Sequence, residues 1–424
     1  MPQERPKVVI AGAGFGGLEA AKALRSKPVE VIVLDRENHH CFQPLLYQVA
    51  TAALSPAEVA WPIRSILRAQ ANATVLRAEV RGIDTGKRLV LTDSISVPYD
   101  FLVLATGATY SYFGHDEWAE VAPGLKHIED ATRIRRRILI AFEQAELATE
   151  EAEQRRLLTF AIVGGGATGV EMAGAISEIA RQTLAKDFRR IDPKSARIVL
   201  IEAGARLMPS LPENLSGYVR DTLAHKGVEV MVSTRVTGCD ARGVDHEHGR
   251  IDAATVIWAA GVVASPAARW LGAPADRAGR VKVGPDLSIP GHPEIFAIGD
   301  TTAVTDASGQ GVQAIPGVAP AAKQMGRYVG RLIAARVAGE PASRPFRYRH
   351  DGDLAAIGRR SAVVKLGRME LRGLLGWLFW CVVHIFFLIE MKDRVLVAFT
   401  WLWDYVTFQR GARLITRVPP QDGA

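Results

Sequence analysis

The stretch Lys7-Val8-Val9-Ile10-Ala11-Gly12-Ala13-Gly14-Phe15-Gly16-Gly17-Leu18, with the run Val29 to Leu34 that ends at Asp35, decides the fold of this chain. Lys7 to Ile10 reads as a buried strand and the glycines as a turn. Leu18 to Ser26, rich in Ala and Leu, reads as a helix, and Val29 to Leu34 as a second strand. Gly12, Gly14 and Gly17 have the G-x-G-x-x-G spacing. The acid Asp35 follows at roughly the distance a dinucleotide-binding unit requires.

The pattern recurs downstream. Leu158 to Val163 is a strand, Gly164-Gly165-Gly166-Ala167-Thr168-Gly169 a turn and Val170 to Leu184 a helix, and Arg197 to Ile201 is a strand ending at Glu202. The second helix is longer, so its acid lies farther from the glycines. Two further strands end in small residues, Tyr99 to Leu104 before Ala105-Thr106-Gly107 and Thr255 to Trp258 before Ala259-Ala260-Gly261. Small residues at the carboxyl end of a strand let backbone approach a ligand, and open α/β sheets bind there. A third apolar strand, Glu294 to Ile298, ends in Gly299-Asp300. The expected fold class is α/β, with two nested Rossmann-like dinucleotide-binding domains and a C-terminal membrane-associating helical segment.

At 424 residues the chain has room for two or three domains. Its 48% hydrophobic and 23% charged residues exclude disorder and fibrous repeats. Cys41, Cys239 and Cys381 form no C-x-x-C pair, which excludes a disulfide framework, a four-thiolate zinc site and a redox pair of neighbouring cysteines. The N-terminus does not read as a secretory signal, so most of the chain is expected in the cytosol. No H-E-x-x-H, G-x-S-x-G or G-x-x-x-x-G-K-[ST] occurs, nor any metal-spaced His/Cys set. The adjacent His39-His40 reads as part of a solvated loop. His246 and His248 read as a hairpin tip.

A dinucleotide pyrophosphate is an anion. A helix N-terminus offers it unpaired N–H groups and partial positive charge, and glycines clear the approach. Asp35 and Glu202 are placed to accept hydrogen bonds from adenosine ribose hydroxyls. A carboxylate at Glu202 repels a 2′-phosphate and argues for NAD(H), although Arg206, four residues on, is of the kind that accommodates one. Two dinucleotide sites in one chain suit a relay in which a flavin takes hydride from nicotinamide and passes electrons on.

With these residues the chain resembles the type II NADH:quinone oxidoreductases, single-chain flavoproteins of the two-dinucleotide-binding-domain superfamily. The resemblance runs through Gly12 to Gly17 with Asp35, His39 to Ala50 (HHCFQPLLYQVA), Ala105-Thr106-Gly107 and Gly164 to Glu171. It continues through Phe296 to Asp300 (FAIGD), Pro316 to Gln324 (PGVAPAAKQ) and Thr407 to Arg413 (TFQRGAR). It implies FAD held by Gly12, Gly14, Gly17, Asp35, Thr106, Gly107 and Asp300. It implies NADH held by Gly164, Gly166, Gly169, Glu171 and Glu202, with Glu171 reaching the nicotinamide. The residues alone place Glu171 in the first turn of its helix, facing ligand or solvent, where a carboxylate could equally complement the helix dipole. The family's quinone segment corresponds to Ala319-Pro320-Ala321-Ala322-Lys323-Gln324-Met325-Gly326. Pro320 stands where some members have glutamine, and Gln324 remains the polar quinone candidate.

The basic excess is concentrated at the C-terminus: residues 341–424 hold 13 Lys+Arg against 7 Asp+Glu, a net of +6 of the overall +7. Leu374 to Ile389 is apolar apart from His384. As a helix it would span roughly 24 Å, short of a ~30 Å hydrocarbon core. Val395 to Phe408 is a second such run. Arg372, Lys392, Arg394, Arg410, Arg413 and Arg417 flank the runs, and Trp377, Trp380, Trp401 and Trp403 suit a headgroup boundary. Two helices lying in one leaflet are expected over about 371–408, against a buried hairpin, a dimer interface or a single spanning helix.

The expected organisation is an FAD domain at 1–115 and 263–340, an inserted NADH domain at 116–262 and the tail at 341–424. The expected activity is NADH oxidation through FAD with two-electron reduction of a membrane quinone and no proton pumping. It would act as a peripheral protein on the cytoplasmic face of the inner membrane, possibly as a homodimer, without nucleic acid or metal. The alternatives are a soluble reductase of a small redox protein and a membrane-docked NADH sensor.

Overall fold

The computed structural model describes residues 5–305, 313, 315–341, 344–389, 391–407 and 411–415. The chain divides into two compact units. The first is Met1–Cys41, Ala60–Thr109 and Val262–Asp351, and the second is Phe42–Val59, Tyr110–Gly261 and Gly352–Ala424.

In the first unit a six-stranded sheet runs in the order Ser288–Ile289, His292–Ala297, Phe101–Leu104, Lys7–Ala11, Glu30–Asp35, Ala73–Arg77. All its pairings are parallel except the Ser288–Ile289 edge. Val8, Val9, Ile10 and Ala11 are fully buried. Helices cover parallel sheets on both faces, so their strands read as unbroken apolar runs. The helix Ala319–Val337 crosses the helix Phe15–Ala23 at close range. A Cβ on Gly326 would lie 2.1 Å from the Gly16 carbonyl oxygen, and one on Gly330 2.6 Å from the Ala23 Cβ.

The second unit repeats the plan with a four-stranded parallel sheet, Val228–Met231, Arg197–Ile201, Thr159–Val163, Thr255–Trp258. In both units the strand leading into the glycines lies between the acid-ending strand and a last strand reached through a three-stranded meander. The meanders are 80–98 in the first unit and 236–252 in the second. That reversal of direction around the central strand makes the crevice in which doubly wound sheets bind ligands. The tip Asp245 to Gly249 is a hairpin turn, as the sequence suggested.

Two expectations about organisation are corrected. Phe42–Val59, read as part of the first domain, packs in the second unit. From Gly352 on, the tail expected at 341–424 is not a separate body but folds with that unit as an antiparallel sheet, Asp353–Gly358, Ser361–Leu366, Met369–Arg372, and the helices Gly373–Phe387 and Met391–Thr407. The reason lies in long-range polar contacts that no local pattern encodes: Trp401 donates to Gln48 at 2.7 Å and Thr400 to Glu58 at 3.2 Å.

The last two helices are apolar on both sides. Gly376, Trp380, His384 and Leu388, at i, i+4 spacing, are buried. Leu374, Leu375, Leu378, Val382, Phe386, Val395, Phe399, Leu402 and Val406 are exposed. Of the 20 exposed large hydrophobic residues described, 14 lie between Leu374 and Ile415. No helix among the described residues is long and apolar enough to cross a membrane. Phe408, Gln409, Arg410 and Arg417, invoked above, lie outside the described residues.

Candidate functional site

The two glycine loops match feature by feature. Gly12 has φ +100° and Gly164 φ +112°, left-handed backbone that favours glycine. A Cβ would meet the Ala105 carbonyl oxygen at 2.3 Å in the first and the Ala259 carbonyl carbon at 2.7 Å in the second. A Cβ on Gly17 would lie 1.8 Å from the Gly12 carbonyl oxygen, and one on Gly169 1.8 Å from that of Gly164. Around Gly14 and Gly166 the space is open, with nothing within 4 Å of a Cβ. Each helix starts directly after that open glycine, at Phe15 and at Ala167, three residues before the starts read from sequence. The third glycine therefore sits inside the first turn, where the helix must pass over the strand.

The acids close each loop identically. Asp35 accepts from the Ala13 N–H at 2.6 Å and the Glu37 N–H at 2.8 Å. Glu202 accepts from the Gly165 N–H at 2.5 Å and the Gly204 N–H at 2.6 Å. Burial raises the Asp35 carboxyl above its usual range, and the two N–H donors oppose that. Arg206 is exposed and donates to the Pro209 carbonyl at 2.9 Å.

In the first unit Thr106 shares a hydrogen bond with Ser265 at 2.5 Å, and Thr301 donates to the Gly107 carbonyl at 3.3 Å. Ser265 was not legible in the sequence because its segment returns from far along the chain. Asp300 lies in the middle of a short 3-10 turn, Gly299–Thr301, after the strand His292–Ala297. His40 corrects the solvated-loop reading. It is buried, its Nδ1 lies 2.9 Å from the Ala13 carbonyl oxygen, and its ring meets Phe15 edge-on at 4.9 Å. Burial drops it to about 4, so it is neutral and can brace the loop. Lys323 lies over the Phe15 ring at 5.1 Å, and burial lowers it to about 8. Gln324 is committed locally: it donates to the Arg349 carbonyl at 2.8 Å and accepts from the Arg349 N–H at 3.0 Å.

In the second unit the glycine-loop helix docks on the C-terminal sheet with one face. Glu171 accepts from the Ala356 N–H at 3.3 Å, a Cβ on Gly174 would lie 2.1 Å from the Ile357 carbonyl oxygen, and Glu178 pairs with Lys226 at 3.0 Å. Glu171 is thus neither in the first turn nor facing solvent. Its side chain is buried, and loss of hydration pushes it up to about 8, with the Ala356 bond opposing.

Beside that face lies a cavity of about 100 Å³ whose lining includes Tyr47, Gln48, Glu178, Trp377, Trp380 and Trp401. Tyr47 and Gln48, within the stretch HHCFQPLLYQVA, have no role legible in the sequence. They reach the cavity on the short helix Leu46–Ala50, while Trp380 and Trp401 come from the apolar C-terminal helices. A larger hollow of about 610 Å³, lined in part by Arg136, Arg137, Asp240 and Ile415, contains none of the sequence-derived site residues.

Known proteins match this chain over nearly its whole length. The family model described as pyridine nucleotide-disulphide oxidoreductase matches residues 6–326, and that of the NDH2 C-terminal domain matches 350–409. The chain is 43% identical to the type II NADH:quinone oxidoreductase Ndh of Mycobacterium tuberculosis, covering 98% of this chain and 91% of that one. It is 28% identical to a type II NADH:quinone oxidoreductase of Staphylococcus haemolyticus, covering 86% and 90%. Among solved structures, that of NDH2 from Plasmodium falciparum has the same fold, with a TM-score of 0.85 at 21% identity, covering 98% of this chain and 100% of that one.

Proposed function

The chain belongs to the type II NADH:quinone oxidoreductases, enzymes that oxidise NADH and reduce a quinone, and from that premise we propose how its parts divide the work. The first unit holds FAD. Gly12, Gly14 and Gly17 admit the pyrophosphate at the N-terminus of the helix Phe15–Ala23, Asp35 takes the ribose, and Thr106, Gly107 and Asp300 line the flavin end. The second unit holds NADH in the same way through Gly164, Gly166, Gly169 and Glu202. Glu171, protonated at neutral pH, offers an uncharged hydrogen-bonding group rather than an anion near the nicotinamide. When bound, the flavin accepts hydride from NADH and returns two electrons to quinone. The cavity beside Tyr47, walled in part by Trp377, Trp380 and Trp401, receives the quinone head. Gln324 acts as a clamp on the segment at Arg349, not as a reacting group.

The observation that carries this reading is the duplicated loop, with open space at Gly14 and Gly166 where the other glycines of each loop are crowded. The exposed apolar faces of the last two helices, with Arg372, Lys392 and Arg394 beside them, support seating in one leaflet of the inner membrane at its cytoplasmic face, the side on which NADH is made. The expected experiment is optical. Purified protein is yellow, NADH bleaches it anaerobically, and a menaquinone or ubiquinone analogue restores the colour. A preparation that binds flavin but is not bleached by NADH would overturn the assignment of the second loop.

A further inference from the structure

The cavity in the second unit contains a hydrogen-bond chain whose direction is fixed by chemistry. An indole N–H can only donate. Trp401 Nε1 lies 2.7 Å from Gln48 Oε1, which fixes the orientation of the Gln48 amide. Gln48 Nε2 therefore donates to the Tyr47 hydroxyl oxygen at 3.0 Å. With its oxygen accepting, Tyr47 has its own O–H left to donate. Tyr47 and Gln48 are both buried, and among the described residues no acceptor meets that proton.

A second donor stands next to it. Trp380, 1% exposed, packs edge-on to Tyr47 with ring centroids 6.5 Å apart and lines the same cavity. Its buried Nε1–H has no hydrogen-bond partner among the described residues. A buried donor without an acceptor is destabilising, so two at one small cavity mark a place where a ligand supplies the acceptor. Glu178 lines the cavity as well, but its Oε1 is taken by Lys226 Nζ and the Arg359 N–H. Trp377 and Trp401 offer faces to a flat ring, in a wall that otherwise mixes small apolar residues with Thr51, Gln182, Thr183 and Arg359.

We propose that Tyr47 Oη–H and Trp380 Nε1–H together form the receptor for one carbonyl oxygen of the quinone ring, and that Gln48 and Trp401 are positioning residues that aim the Tyr47 proton. This rests on the assignment of the cavity to quinone. A ring carbonyl in the cavity gives the Tyr47 proton the acceptor it lacks, with the Trp380 N–H as the neighbouring donor. They hold it more tightly as that oxygen gains negative charge on reduction, so their contribution falls in turnover as well as in binding.

The test uses the full-length, membrane-associated, flavin-loaded enzyme. Tyr47→Phe removes only the hydroxyl. It is expected to lower kcat/KM for a soluble quinone analogue about tenfold, while the rate at which NADH bleaches the flavin stays unchanged. Trp380→Phe is expected to act similarly. Gln48→Leu should lower kcat/KM for quinone by about half as much on a logarithmic scale, and Gln48→Glu, which keeps an acceptor for Trp401 but no donor for Tyr47, should not restore it. If Tyr47→Phe and Trp380→Phe both turn over quinone as the parent does, the receptor assignment is wrong, although the enzyme still reduces quinone. If the parent enzyme is bleached by NADH but no quinone reoxidises it, the functional reading fails instead. Should Trp380→Phe fold poorly, the isosteric Tyr47→Phe decides alone.

Discussion

Replacing Glu171 with glutamine gives the most direct measure of how the second unit is built. The native carboxyl is buried and raised to about 8 from an ordinary 4.5. Below about pH 4.5 it is protonated in both folded and unfolded chains and adds no pH dependence. Between 4.5 and 8 the folded state keeps a proton that the unfolded state releases, so stability falls as pH rises, by ~1.4 kcal/mol per unit. Above about 8 the loss is complete at about 5 kcal/mol, and at pH 7 it is about 3 kcal/mol. Glutamine keeps the oxygen that accepts from Ala356 and does not titrate. The variant is therefore expected to gain on the parent with pH. For a chain of this size, with unfolding entropy near 2 cal/mol/K per residue, the gain is about 3–4 °C in melting temperature at pH 7 and under about 1 °C at pH 5. Melting curves of both proteins at pH 5, 6, 7 and 8 at fixed ionic strength test this. A gap that does not change with pH would mean that the carboxyl is hydrated in the folded protein and the docking of its helix on the C-terminal sheet is misread.

The duplicated loops should separate genetically. Gly17→Ala, which forces a Cβ against the Gly12 carbonyl, is expected to yield colourless protein. Gly169→Ala should keep the flavin spectrum and raise KM for NADH about a hundredfold, as a misplacement near 1 Å does. Glu202→Gln removes the charge that disfavours a 2′-phosphate, so the ratio of kcat/KM for NADH over NADPH should fall by about tenfold, read in parallel steady-state assays. Cutting the chain after Arg368 would remove a strand of the C-terminal sheet and the buried Trp380, so membrane attachment is better tested with Phe386→Glu/Phe399→Glu. That variant is expected to stay in solution when mixed with anionic phospholipid vesicles while NADH still bleaches it. Flotation with the vesicles at parental levels would remove these faces from the anchor.

How much was legible depended on the range of the interaction that fixes each residue. Gly12 to Gly17 and Gly164 to Gly169 could be read because a turn at the end of a parallel strand imposes its requirements within a few residues. Asp35 and Glu202 follow because they end the adjacent strand. The cores Val8 to Ala11 and Thr159 to Val163 could be read as apolar runs. His40 could not: an adjacent histidine pair has no local signature of burial, and it is the Ala13 carbonyl, 27 positions away, that holds it. Gln324 looked like a ligand group because nothing near it in sequence announces that Arg349 will occupy both ends of its amide.

The linear chain by itself therefore determined two Rossmann-like units, the glycine turns and acids that close their loops, and a tail too short and too apolar for an ordinary surface. Tertiary structure alone decided that Phe42–Val59 and the tail join the second unit, that Glu171 is sealed beneath Ala356, and that Tyr47, Gln48, Trp380 and Trp401 meet around one cavity. The physical reason is that strand, turn and helix patterns act over a handful of residues. Desolvation of a carboxyl and the direction of a hydrogen-bond chain exist only once segments more than three hundred positions apart are packed together.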